Sequence, residues 1–136
     1  MAKIRLLVDT DILIDYLKKV KSAKILFSND VLDIFCSILS KKELLSKPGL
    51  SSSERKKIDN ILSKLKILKI DNEITNKYML LLEKYGMHRA TMPDYIIAAT
   101  AWAKNLPLLT RNKKHFEHIK EIKLIPPYQD KNINRL

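Results

Sequence analysis

The chain predicts an α/β fold built on a largely parallel sheet, and three observations carry that expectation. Short apolar runs rich in branched residues alternate with stretches of helical spacing along the chain, the pattern of successive β-α units. The first run, Leu6-Leu7-Val8, is apolar at every position, as suits a strand covered on both faces. Asp9 follows it directly, where open α/β sheets gather ligands beyond the carboxyl ends of their strands.

The elements follow in order. After the first strand, Ile12, Leu13, Tyr16, Leu17 and Val20 keep helical spacing, and Lys18, Lys19 and Lys21 close the last turn, where cations complement the helix dipole. Asp9 or Asp11 caps the start of that helix. A short helical piece covers Ala23 to Phe27, Ser28-Asn29-Asp30 makes a turn, and Leu32 to Cys36 reads as the second strand. Ser37 to Leu45 leads into a helix that stops before Pro48-Gly49. Ser51 and Glu54 make a capping box, and Ile58, Ile61, Leu62 and Leu65 form the buried stripe behind it.

Ile67 to Ile70 is the third strand. Asp71-Asn72 opens a helix whose inner face is Ile74, Tyr78, Leu81 and Tyr85, stopped by Gly86. His88 to Thr91 is a polar connection whose path the sequence leaves open. Thr91-Met92-Pro93-Asp94 starts the next helix, and the small residues between Tyr95 and Ala103 suit close packing on a sheet. Leu106 to Leu109 is the fourth strand, with a polar stretch from Thr110 to Phe116 after it. Ile122 to Ile125 is the fifth, ended by Pro126-Pro127. The expectation is a single domain over residues 1–126 with a polar tail over 127–136.

Composition narrows the function. With 136 residues, 46% of them hydrophobic, and only two glycines, the chain can bury one real core. Its single cysteine, Cys36, excludes an intrachain disulfide framework or a cysteine zinc site and suits a reducing compartment. Neither a targeting signal nor a membrane span is evident, so a cytoplasmic location is expected. The net charge of +11 and pI near 9.7 favour a polyanion, nucleic acid or an acidic partner protein.

Three acids stand out: Asp9 after a strand, and Glu43 and Asp94, each expected in the first turn of a helix. Ser40-Lys41-Lys42-Glu43 and Thr91-Met92-Pro93-Asp94 both match the capping-box pattern, so each acid has a purely structural explanation. Together they suit a hard cation such as Mg²⁺, which takes one or two carboxylates plus waters and substrate phosphates. Spacing alone does not choose between caps and ligands.

The motifs Leu7 to Asp15, Ser37 to Leu44, Pro93 to Ala101 and Leu109 to Phe116 occur in an order that resembles the PIN-domain family, and more narrowly the VapC-type toxins of type II toxin–antitoxin modules. The resemblance runs from Lys3 to about Pro126. It implies a PIN-like three-layer α/β/α sandwich with a five-stranded sheet, and a Mg²⁺- or Mn²⁺-dependent endoribonuclease cutting structured RNA such as tRNA or rRNA. It further implies a cognate antitoxin and a homodimer.

By motif position Asp9, Glu43 and Asp94 are the catalytic acids, with Asp9 and Asp94 as metal ligands, and Thr10 and Thr110 line the site. Asn112 stands where the family often carries a fourth acid, which leaves one metal or two open. Asp11 then becomes the helix cap, and Asp15 a solvent-facing or supporting acid. His115 is read as a surface histidine. Arg111, Lys113, Lys114, Lys41 and Lys42 flank the acids as phosphate contacts. Two alternatives stand beside this reading: a PIN-like protein that binds RNA or a partner without cutting, kept open by Asn112, and a haloacid-dehalogenase-type phosphatase using Asp9 and Asp11.

Overall fold

The structure, a computed structural model, describes residues 2–125. Pro126-Pro127 and the polar tail expected after them lie outside that range. β1 (Ile4–Val8), β2 (Leu32–Ser37), β3 (Lys66–Leu68), β4 (Leu108–Leu109) and β5 (Leu124–Ile125) form one sheet in the order β3-β2-β1-β4-β5. Every pairing is parallel. The five-stranded parallel α/β architecture expected from the sequence is therefore present.

Side-chain alternation along the central strands makes the layers. Leu6 and Val8 of β1, Ile34 and Cys36 of β2 and Leu109 of β4 belong to one core. Leu7, Phe35 and Leu108 face the other. The first core is covered by α1 (Thr10–Leu17), α2 (Lys21–Phe27), α3 (Ile38–Leu45) and α4 (Ser52–Leu62). The second is covered by α5 (Asn72–Tyr85), α6 (Met92–Ala103) and the short α7 (Lys113–Phe116). Ala98, Ala99 and Ala101 are buried in that second core, where the absence of longer side chains brings α6 close to the sheet.

The path between Gly86 and Thr91 has a geometric reason. β3 and β4 are separated by β2 and β1, three strand spacings or about 14 Å, and a single helix about 10 Å wide does not cover that span. Two helices do, so α5 and α6 follow one another without a strand between them. Gly86 ends α5 with φ of 70°, and its N–H donates to the Leu82 carbonyl. That left-handed backbone favours the residue without a Cβ.

Several boundaries differ from expectation. α1 stops at Leu17 with Lys18 as its C-cap, and Lys21 begins α2, so the three lysines do not close one turn. β3 lies one residue earlier than predicted and Ile70 is exposed. β4 and β5 are reduced to two residues each; Pro107, just before β4, has no N–H with which to extend that strand's ladder. α7 was not foreseen. Its single turn is anchored by fully buried Phe116. No helix among the described residues is long and apolar enough to cross a membrane.

Candidate active site

Because all strands are parallel, Asp9, Ser37 and Thr110 reach the same edge of the sheet, and the site is built there. Asp9 is 5% exposed. Its Oδ1 accepts the Thr10 N–H at 2.8 Å, and its Oδ2 accepts the Thr110 hydroxyl at 2.8 Å. Asp9, not Asp11, is the N-cap of α1. The expected division of labour is thus corrected: the residue that terminates β1 is also the residue free to turn its carboxylate onto the first helical N–H.

Asp11 instead holds the segment after β4. Its Oδ2 accepts the Arg111 N–H at 2.8 Å and the Thr110 hydroxyl at 3.4 Å. Its buried Oδ1 has no hydrogen-bond partner among the described residues. Asp15, one turn further along the same face of α1, is 5% exposed, and both its oxygens receive Nη1 of Arg111 at 3.0 Å. Asp15 is therefore a supporting acid and not a solvent-facing one. The i, i+4 spacing of Asp11 and Asp15 is the sequence signal that could have paired them with one loop.

Glu43 required a larger correction. Ser37 caps α3 through its hydroxyl, which accepts the Leu39 N–H, so Ser40 and Glu43 lie within the helix and make no capping box. Ser40 is fully buried and accepts the Thr10 hydroxyl at 2.8 Å, a contact across 30 positions that no local pattern signals. Glu43 sits near the end of α3, exposed as a whole. Even so, partial burial pushes its carboxyl above the usual range, the Thr10 hydroxyl works against that shift, and the charges of Asp9 and Asp94 add to it.

Asp94 does belong to a capping box. The Thr91 hydroxyl accepts the Asp94 N–H, and Asp94 Oδ2 accepts from Thr91 N–H at 3.1 Å and Thr91 Oγ1 at 2.9 Å. The same oxygen lies 3.2 Å from Nδ1 of His115. His115 is exposed, as a surface histidine is expected to be, and it stands at the edge of the acid cluster. Asn112 begins α7 without using its side chain as a cap, and its N–H donates to Thr110 Oγ1 at 3.0 Å.

These groups act on one another. Burial raises the Asp9 pKa most and Asp94 raises it further, while the Thr110 and Thr10 hydrogen bonds and the His115 charge oppose. Burial, then the Asp9 charge, pushes Asp11 up to about 6. Asp9, Glu43 and Asp94, from β1, α3 and α6, therefore share one electrostatic environment. Lys41 is half-buried beside them in sequence, and Lys42, Lys113 and Lys114 are exposed.

Among the described residues no group of three or more His, Cys, Asp or Glu side chains is placed so that together they could hold a metal ion. A divalent ion held by one or two carboxylates, with waters and phosphate oxygens, does not need such a group. The donors here are hard oxygens whose mutual repulsion and burial a cation would relieve, so the residues fit such an ion.

The comparisons with known proteins agree with this geometry. The PIN domain family model matches residues 6–122. Ribonuclease VapC1 of Methanocaldococcus jannaschii is 38% identical over 124 residues, 88% of this chain and 85% of the relative. Ribonuclease VapC10 of Mycobacterium tuberculosis is 29% identical over 90% of this chain and 92% of its own. Among solved structures, VapBC2 of Rickettsia felis, bound to a promoter DNA fragment, superposes with a TM-score of 0.77 at 27% identity, over 93% of this chain and all of that one. A toxin–antitoxin complex from Klebsiella pneumoniae gives 0.75 at 28% identity, over 91% and 98% of the two chains. The chain belongs to the PIN-domain family, among the VapC-type ribonucleases.

Proposed function

We propose that this chain is the endoribonuclease toxin of a toxin–antitoxin pair, acting in the cytoplasm with a bound Mg²⁺ or Mn²⁺ on structured RNA such as tRNA or rRNA. One observation carries the reading. Three acids far apart in sequence, Asp9, Glu43 and Asp94, meet electrostatically at the carboxyl edge of the sheet, with the Thr10 and Thr110 hydroxyls bonded into the same cluster.

Asp9 and Asp94 would hold the ion, which when bound supplies electrophilic polarisation of the scissile phosphate. Thr110 and the Thr10 N–H hold the two Asp9 oxygens in fixed directions. Glu43, with its raised pKa and outward position, is suited to take a proton from the attacking water. Lys41, Lys42, Lys113 and Lys114 would contact the RNA backbone without reading its sequence. Arg111 is tied to Asp15 through Nη1, so it stiffens the segment after β4 as well as adding charge.

The partner expected from the family is a cognate antitoxin. A groove of about 460 Å³ between α1, α3 and α4 supports that part of the reading: Leu17, Leu44 and Ile58 line it beside Lys18, Lys57, Glu43 and the Lys47–Glu54 ion pair. Such a lining suits an amphipathic segment with an apolar face. A homodimer is a further expectation, consistent with Met79 and Leu80 exposed on α5.

Incubation of the purified chain with total tRNA and Mg²⁺ or Mn²⁺ tests the proposal: discrete cleavage products appear, EDTA stops their formation, and Asp9→Ala gives none. A second reading, binding without cleavage, is favoured by the neutral Asn112. It wins if the wild type binds RNA and no metal yields products. The phosphatase alternative needs Asp11 facing substrate, but its Oδ2 is already given to Arg111.

A further inference from the structure

The loop joining α5 to α6 brings Arg89 to a recess of about 510 Å³ that it lines with Lys114, Glu117, His118 and Lys120. Lys114 and Glu117 also line a neighbouring recess of about 500 Å³ with Arg111, Lys113 and His115. The two recesses therefore adjoin at Lys114 and Glu117, on either side of the α7 segment. His115 lies at the Asp94 end of this track, 3.2 Å from its carboxylate.

What sets this track apart is that several cations crowd one pair of recesses. Lys47, Lys66, Lys84 and Lys104 elsewhere on the surface each have a carboxylate partner, as does Arg111 at the edge of the track itself. Among the described residues, Arg89, Lys113, Lys114 and Lys120 have none, and Glu117 is the single acid lining either recess. The positive field reaches His118, whose pKa is lowered by burial and then by Arg89 and His88, while Glu117 opposes the shift and Lys120 adds a smaller effect to it. Clustered, unneutralised cations are the footprint of a polyanion, and a row of them that ends at carboxylates able to hold a metal suits a chain of phosphates.

We infer that Arg89, Lys114 and Lys120 bind backbone phosphates of the RNA beyond the scissile one, guiding the strand around α7 into the acid cluster. This rests on the ribonuclease reading. Arg89 and Lys120 belong to no motif of their own, and only the fold brings them to one recess.

The test uses the full chain carrying Asp9→Asn to silence cleavage, or Asp94→Asn if that background folds better. Binding of a fluorescent single-stranded RNA is followed by anisotropy between about 50 and 200 mM salt. Adding Arg89→Gln and Lys120→Gln lowers the slope of log K against log salt by about 1.4, two contacts at about 0.7 each on a single strand. Lys24→Gln with Lys69→Gln removes the same charge elsewhere and leaves the slope unchanged. Equal slopes for the two pairs overturn the assignment and leave the recess to an acidic segment of a protein partner. Absence of RNA binding by the parent also overturns it. Cleavage by the wild type is scored separately: cleavage with an unaltered slope removes the track alone, whereas an altered slope without metal-dependent cleavage keeps the track and removes the nuclease reading.

Discussion

Ser40-Lys41-Lys42-Glu43 and Thr91-Met92-Pro93-Asp94 have the same local pattern and different structures. At Thr91 the helix begins where the pattern says, and Thr91 and Asp94 satisfy each other's N–H groups. At Ser40 it has already begun, because β2 runs to Ser37 and that residue's hydroxyl takes the free N–H of Leu39. Ser40 then turns inward to Thr10 while Glu43 stays at the surface near Asp9 and Asp94. A capping motif reports only that a helix could start. Where the preceding strand ends decides whether it does. Asp94 is thus held by local bonds as well as by the site, whereas Glu43 is there only because α3 packs beside α1.

The largest effect that would sharpen this contrast is on activity. Asp9→Asn and Asp94→Asn should both reduce RNA cleavage to background in a gel assay with Mg²⁺, since each removes a carboxylate from the proposed ion site. Glu43→Gln should slow cleavage by about 10²-fold or more, the usual worth of a general base, while leaving stability within about 0.5 kcal/mol of wild type. A loss of stability in Glu43→Gln as large as that of a missing cap would break the contrast.

Thr91→Ala should cost about 1 kcal/mol in denaturant unfolding, the typical worth of an N-cap. Ser37→Ala should cost a similar amount because it is the true cap of α3. A smaller effect concerns pH. Asp11 has its folded-state pKa raised to about 6, so the native state holds more protons than the unfolded chain between about pH 4 and 6. Stability from this group is present below that window and lost as pH rises through it. In EDTA, Asp11→Asn should therefore show a flatter stability profile than wild type over that range. At the small end, buried Cys36, its thiol pushed up to about 12 by burial, should resist a thiol reagent at pH 8 unless denaturant is added.

Much of the fold was legible because parallel β-α units write themselves locally. β1 and β2 each end in a buried run, Leu6 to Val8 and Ile34 to Ser37, that faces both cores, and α4 and α5 carry both a cap and an apolar stripe. The short strands β4 and β5 are harder: with two residues each, they carry too little pattern to fix their ends. α7 escaped notice since one turn anchored by Phe116 has no periodicity to detect.

In the site, the motifs named Asp9, Glu43 and Asp94, and family order joined them. The partners of those acids were not legible. Thr110 bonds to Asp9 across 101 positions, Thr10 to Ser40 across 30, and Arg111 to Asp15 across 96.

By itself, then, the sequence determined most of the strands and helices and a charge suited to a polyanion, both set by composition and short-range periodicity, while the choice of Asp9, Glu43 and Asp94 rested on their family resemblance. Only the tertiary structure decided which aspartate caps α1, that Glu43 caps nothing, that Asp15 is buried against Arg111, and that Arg89 shares a recess with Lys120. The physical reason is the parallel sheet, whose register brings strand ends together that are remote in the chain, so that bonds across it depend on no local pattern.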